Sequence, residues 1–104
     1  MKSAIILTGT LILFCAVVVF CQDSASDRGR DVYAMQKCAL CHSIAGIGGK
    51  KMALDSVGSK LKPEEMRKWI RTPKSMNGDS TMKAYPNLPE KDLSDLVAFL
   101  LTLK

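Results

Sequence analysis

Hydrophobic positions along the chain fall into one long unbroken block and three shorter stretches with helical spacing. The block runs from Ala4 to Phe20 without a charge, follows Lys2, and gives way to the polar stretch Gln22 to Asp31. Such a run reads as an export signal or a membrane anchor. It exceeds the usual signal core of roughly 7–15 residues, and with Ser3 and Cys21 it approaches the roughly 20 residues of a spanning helix. Ser24-Ala25-Ser26 supplies the small residues of a cleavage site, so both fates stay open. An uncleaved anchor is the preferred reading, with Lys2 held on the cytoplasmic side. Residues 1–26 are therefore set apart as signal peptide or membrane anchor, and residues 27–104 as the folded domain.

Within that domain the spacing predicts three helices. The first runs from about Asp27 through Cys41, with Val32, Tyr33 and the Gln36-Lys37 pair compatible with one buried face. The second starts at Pro63, which suits a first helical position, carries Glu64 and Glu65 where acids favour a helix N-terminus, and stops by Thr72 ahead of Pro73. The third follows Pro89-Glu90 and places Leu93, Leu96, Val97, Leu100 and Leu103 along one apolar face. No internal repeat, low-complexity tract or useful alternating pattern accompanies these stretches, so the expected class is all-α.

The chain has 104 residues, which allows one small domain after the hydrophobic block, too short to bury a large core unaided. From Gln22 onward 14 Lys and Arg stand against 10 Asp and Glu, a net +4. Lys50-Lys51, Lys60, Lys62, Lys68, Lys74 and Lys83 occupy the central segments, whereas Glu90, Asp92 and Asp95 lie on the last helix.

Of the four cysteines, Cys15 and Cys21 lie in or beside the hydrophobic block, and the other two form Cys38-Ala39-Leu40-Cys41-His42. Cys-x-x-Cys-His is the attachment sequence for covalently bound haem. Two thiols three positions apart lie on one side of a helical turn and add to the two vinyl groups of one porphyrin. The histidine then falls under the iron as its proximal ligand. A thioredoxin-type redox pair needs a βαβ setting that the sequence around residue 38 lacks. A structural zinc site needs four ligands, which Cys15 and Cys21 are ill placed to complete. Haem also answers the problem of size, because a large apolar macrocycle gives short helices a body to pack around and its covalent attachment staples the domain without a disulfide.

On these residues the chain resembles the class I cytochromes c. The resemblance implies a small cytochrome c fold of about three helices around one covalent haem c, preceded here by an N-terminal hydrophobic helix. It implies export, since haem attachment in that family takes place on the outer side of the energised membrane. It also implies a close crossing of the first and last helices, where Gly29 and Phe99 hold the corresponding positions with Tyr33 beside them.

His42 is the only histidine, so a second axial ligand is sought among Met52, Met66, Met76 and Met82, a thioether being the soft ligand that raises the potential of haem iron. Thr81-Met82-Lys83-Ala84-Tyr85-Pro86-Asn87-Leu88 resembles the family's Met-Pro-x-Tyr/Phe-Pro-x-Leu segment and selects Met82. Met76 is its competitor, and Met66 reads as core packing. Lys83 stands where the family usually has proline, which implies a less rigid ligand loop. Met52-Ala53-Leu54 stands where the family has Gly-Pro-x-Leu, so the carbonyl of Ala53 is the expected acceptor for the proximal imidazole and Leu54 is expected against the porphyrin. Trp69 is expected beside the haem, bonding a propionate or filling core, with Arg71 and Lys74 as further propionate partners. The expected iron ligands are thus His42 and Met82, and the cofactor contacts Cys38, Cys41, His42, Leu54, Trp69 and Met82.

Iron held by both His42 and Met82 has no vacant position, and no other side chain is placed to serve as a distal acid or base. The expected function is therefore one-electron transfer by a carrier on the periplasmic side, soluble or tethered, rather than catalysis. The alternatives are a fixed cytochrome subunit of a respiratory or photosynthetic membrane complex and, further off, a haem peroxidase or gas-binding sensor, which needs an open coordination position. Lysines in the haem-facing segments suit steering toward acidic redox partners. Membrane contact would run through the N-terminal segment, and an exported haem domain is not expected to bind nucleic acid.

Overall fold

The computed structural model describes residues 24–104, and the hydrophobic block, with the N-terminal hydrophobic helix expected there, lies outside the described residues. Helix α1 (Ala25–Met35) begins at Ser24, whose Oγ accepts a hydrogen bond from the Asp27 amide at 3.2 Å. Ser24 thus caps the helix, and Ala25 and Ser26 form its first turn. The spacing predicts continuation as far as Cys41. Instead Lys37 takes a left-handed backbone conformation with φ of 57°, which a right-handed helix cannot incorporate. The chain turns into a short 3-10 turn at Cys38–Leu40, closed by bonds from the Leu40 amide to the Lys37 carbonyl (3.1 Å) and from the Cys41 amide to the Cys38 carbonyl (3.2 Å).

The all-α expectation fails in the next segment. Strand β1 (His42–Ile44) pairs antiparallel with β2 (Ile47–Gly48) and parallel with β3 (Met52–Ala53), forming a three-stranded mixed sheet in the order β2-β1-β3. Strands this short cannot display a period-two pattern, so the sequence holds no periodic trace of them. The turn explains them better. Ala45 and Gly46 both take positive φ, 51° and 77°, the two-residue hairpin geometry whose twist matches the flanking strands. The Ala45 amide also donates to Asp55 Oδ1 at 2.6 Å, tying the hairpin to the segment after β3.

The count of three helices is corrected as well, since α2 (Val57–Lys60), α3 (Pro63–Arg71), α4 (Pro73–Met76) and α5 (Glu90–Leu101) follow the sheet. Prolines delimit α3. Pro63 sits in its first turn, the Lys62 amide donates to Glu65 Oε1 at 3.0 Å, and Pro73 opens the separate short helix α4. Among the described residues no helix is long and apolar enough to cross a membrane.

Helices α1 and α5 cross at Gly29. A Cβ at this position would overlap the Asp95 carbonyl and stand 2.7 Å from the Phe99 Cβ, so only glycine permits the approach. Beside the crossing Tyr33 meets Phe99 edge to face, with ring centroids 5.6 Å apart and an interplanar angle of 60°. Leu93, Leu96, Val97 and Leu100 bury the inner face of α5 together with Val32, Val57, Met66 and Ile70. Asp95 is 6% exposed on the same helix. Its Oδ2 accepts from Lys91 Nζ at 2.8 Å and from Arg28 Nε at 3.2 Å, a tie between α5 and α1. The Lys91 bond foremost, and then the Arg28 bond, hold the carboxyl below its usual range.

Candidate functional site

A cavity of about 410 Å³ opens between the turn that carries the two cysteines, the segment from β3 through α3, and the irregular stretch leading to α5. Cys38, Cys41, His42, Leu54, Trp69 and Met82, the residues singled out from the sequence, all line it. Its apolar wall adds Val57, Met66, Ile70, Leu96 and Leu100. The left-handed Lys37 and the tight turn after it bring Cys38 and Cys41 to this cavity, where a continued helix would have carried them onward along its axis. Both thiols are free. Burial pushes the Cys38 thiol up.

The His42 ring is oriented by the sheet. Parallel pairing sets His42 opposite Met52, and His42 Nδ1 lies 3.3 Å from the Met52 carbonyl oxygen. With Nδ1 donating to that carbonyl, Nε2 is the nitrogen left for a metal. The acceptor is thus Met52 and not Ala53, one residue before the expected one: counted back from Leu54 in Gly-Pro-x-Leu, Met52 is the proline-aligned position, and the parallel register turns its carbonyl to the ring. The His42 carbonyl is in turn within 3.5 Å of the Tyr33 hydroxyl.

The four candidate methionines separate by environment. Met66 is 2% exposed on α3 and belongs to the core. Met52 is 53% exposed and supplies its carbonyl to His42. Met76 ends α4 and does not line the cavity. Met82 sits half-buried in the irregular stretch, packed against the core, with its amide donating to Ser80 Oγ at 3.2 Å.

That stretch is laced down on two sides. The Tyr85 amide donates to the Ile70 carbonyl at 2.9 Å, and the Tyr85 hydroxyl donates to the Gln36 carbonyl at 3.0 Å. Arg71 donates through Nη1 to the carbonyls of Leu88 (2.8 Å), Pro86 (3.0 Å) and Tyr85 (3.3 Å), and through Nη2 to Glu90 Oε2 (3.3 Å). Arg71 is therefore engaged with the backbone of Tyr85–Leu88 and is not among the residues that line the cavity. Lys74 does not line the cavity either. The basic side chains that do are Lys37, Lys51, Lys60 and Lys83, the last with Nζ 5.3 Å from the Tyr85 ring centroid. Sequence reasoning missed Lys37, whose signal was its place directly before Cys38. Burial raises the phenols of Tyr33 and Tyr85, so both remain neutral hydrogen-bond donors near neutral pH.

The donor set fits a haem. Two free thiols, an imidazole with one nitrogen already bonded and a thioether meet in one apolar cavity, and the lysines at its edge match the two carboxylates of the porphyrin.

The family model described as cytochrome c oxidase, cbb3-type, subunit III matches residues 24–100. Cytochrome c oxidase subunit 2 of Alkalihalophilus pseudofirmus is 30% identical over 91 residues, covering 79% of this chain and 27% of that protein. The chain therefore spans little more than a quarter of the relative it matches.

Proposed function

The chain belongs to the family of cytochrome c oxidase, cbb3-type, subunit III, and carries a covalently bound c-type haem for electron transfer; on that premise we propose that Cys38 and Cys41 hold the haem by thioether links and that His42 and Met82 are its two axial ligands. The bound haem supplies a one-electron iron couple. The protein's part is to hold the group in place. His42 stays oriented through Met52, Leu54 and the apolar wall would exclude water from the group, and Trp69, which lines the cavity, would offer its indole N–H to a propionate. A thioether ligand would favour the ferrous state, and iron held by both His42 and Met82 would exchange electrons without binding substrate.

The observation that carries this reading is the meeting of both thiols, the bonded imidazole and the Met82 thioether in one apolar cavity. In this reading residues 1–26 are a signal or anchor, residues 27–104 form the haem domain, and the protein works on the periplasmic side of the membrane. Its partners are redox proteins that present acidic surfaces to the lysine-lined edge. A second reading is favoured by the family match and the relative, both of which concern oxidase subunits. In it the domain is a fixed electron-transfer module of a respiratory complex.

The test is mass spectrometry and haem staining of the denatured full chain, followed by spectra of Met82→Ala. Wild type should carry one haem mass, and replacing both cysteines should remove it. Met82→Ala should lose the thioether–iron absorption band at the red end of the spectrum and admit carbon monoxide to the ferrous protein. Retention of the band in Met82→Ala, with its loss in Met76→Ala, reassigns the ligand.

A further inference from the structure

We propose that Arg71 is a positioning residue for Met82, acting through the backbone of the segment that carries it. The proposal rests on the assignment of Met82 as an iron ligand. Residues 77–89, between α4 and α5, belong to neither helix nor strand, so their carbonyls join no ladder; that of Tyr85 accepts from the Leu88 amide at 3.4 Å within a turn, and those of Pro86 and Leu88 take donors from elsewhere. Arg71 supplies them at the end of α3. Its Nη1 carries two hydrogens and faces three carbonyls, at 2.8 Å (Leu88), 3.0 Å (Pro86) and 3.3 Å (Tyr85), so the longest contact is a shared one. The Leu88 and Tyr85 bonds are part-buried, where competition from water is weak and a charged donor is strongest.

These bonds fix the chain from three residues beyond Met82 onward. On the other side the Met82 amide has a single side-chain partner, Ser80. Lys83, next to Met82, does not restrain its own φ as a proline would. The stiffness of the segment therefore comes from its anchors, Tyr85 and Arg71. Of these, Arg71 alone reaches both the turn at Tyr85–Leu88 and the first residue of α5, because a planar guanidinium presents several donors in a fixed fork. The ion pair with Glu90 is the lesser part. Glu90 is 66% exposed, and exposed pairs contribute little.

Releasing the segment should let the thioether leave the iron more often while the haem stays attached through its cysteines. The experiment uses full-length holoprotein carrying Arg71→Met, Arg71→Lys, Glu90→Gln or Met82→Ala, without denaturant. Two signals are read: the thioether–iron band of the ferric form and the rate of carbon monoxide binding to the ferrous form. Arg71→Met should bind carbon monoxide at least about ten times faster than wild type, since a hydrogen bond from a charged donor is worth about a factor of ten or more in an equilibrium. Arg71→Lys should recover only part of the loss, and Glu90→Gln should behave as wild type.

The proposal is overturned if Arg71→Met keeps the wild-type band and rate and shows only a lower unfolding midpoint, which is the signature of a merely structural residue. It is overturned equally if Glu90→Gln matches Arg71→Met, because the ion pair would then be the operative contact. Should Arg71→Met not accumulate as holoprotein, Arg71→Gln, which retains an amide donor, is read by the same two signals against the same criteria. An intact band in Met82→Ala marks failure of the ligand assignment itself, separately from any result at Arg71.

Discussion

Replacing Gly29 by alanine tests the helix crossing on which the rest of the domain is built. The added Cβ would overlap the Asp95 carbonyl and lie 2.7 Å from the Phe99 Cβ. Neither neighbour is the free end of a flexible side chain. The overlap can be relieved only by moving α1 away from α5, which loosens the Tyr33–Phe99 contact and stretches the Arg28–Asp95 bond. Overpacking costs roughly 1–3 kcal/mol, and rigid neighbours place this site at the upper end. Alanine recovers up to about 1 kcal/mol of helix propensity over glycine, leaving a net loss of about 2 kcal/mol. At about 4–8 °C per kcal/mol for a domain of this size, the melting temperature should fall by about 8–16 °C. Thermal melts of ferric holoprotein followed by far-ultraviolet circular dichroism measure it directly. An unchanged or higher melting temperature would refute the close approach of the two helices.

Asp95 should make the protein acid-sensitive in a defined direction. Its folded pKa is lowered from 3.8, so the unfolded chain binds the proton more readily, and the stabilisation is complete above that value and lost as pH falls through the folded pKa. Denaturant titrations carried from neutrality to well below pH of about 4 should show a steeper loss at the acid end in wild type than in Asp95→Asn; parallel curves would remove Asp95 from the account. Docking is tested by stopped-flow electron exchange with an acidic redox partner. If the lysine edge steers association, the rate should fall steeply with ionic strength, as screening shortens the field to about 8 Å at physiological salt. Charge reversal at Lys51 or Lys83 should slow association more than reversal at Lys104. A flat salt response would favour the fixed-subunit reading over a diffusing carrier.

Much of the site was legible along the chain because its signals act over a few residues. The motif from Cys38 to His42 declares its chemistry through spacing alone, Pro63 and Pro73 bound α3 through the hydrogen bond each lacks, and the leucines of α5 declare a face through their period. The Gly29 crossing and the Met82 segment were reached through family resemblance, since one glycine or one methionine has no local meaning. Lys37 shows where local reasoning stops. Nothing in its side chain requires a left-handed backbone, yet that one residue ends α1 and turns the cysteines into the cavity.

Contacts between distant residues were decided by packing. Asp95 finds Arg28 across 67 positions and Arg71 finds its carbonyls across 14 to 17, and no periodicity encodes a pairing between elements whose relative placement is set by the core. The same holds for the sheet. His42 bonds the Met52 carbonyl because two short strands, β1 and β3, align in one register and not in the next, with the Ala45 amide tied to Asp55 just beyond β3. Residue types thus specify which chemistry is available and where helices begin and end. Which carbonyl orients the imidazole and which arginine braces the loop depend on distances that exist only once the chain has folded.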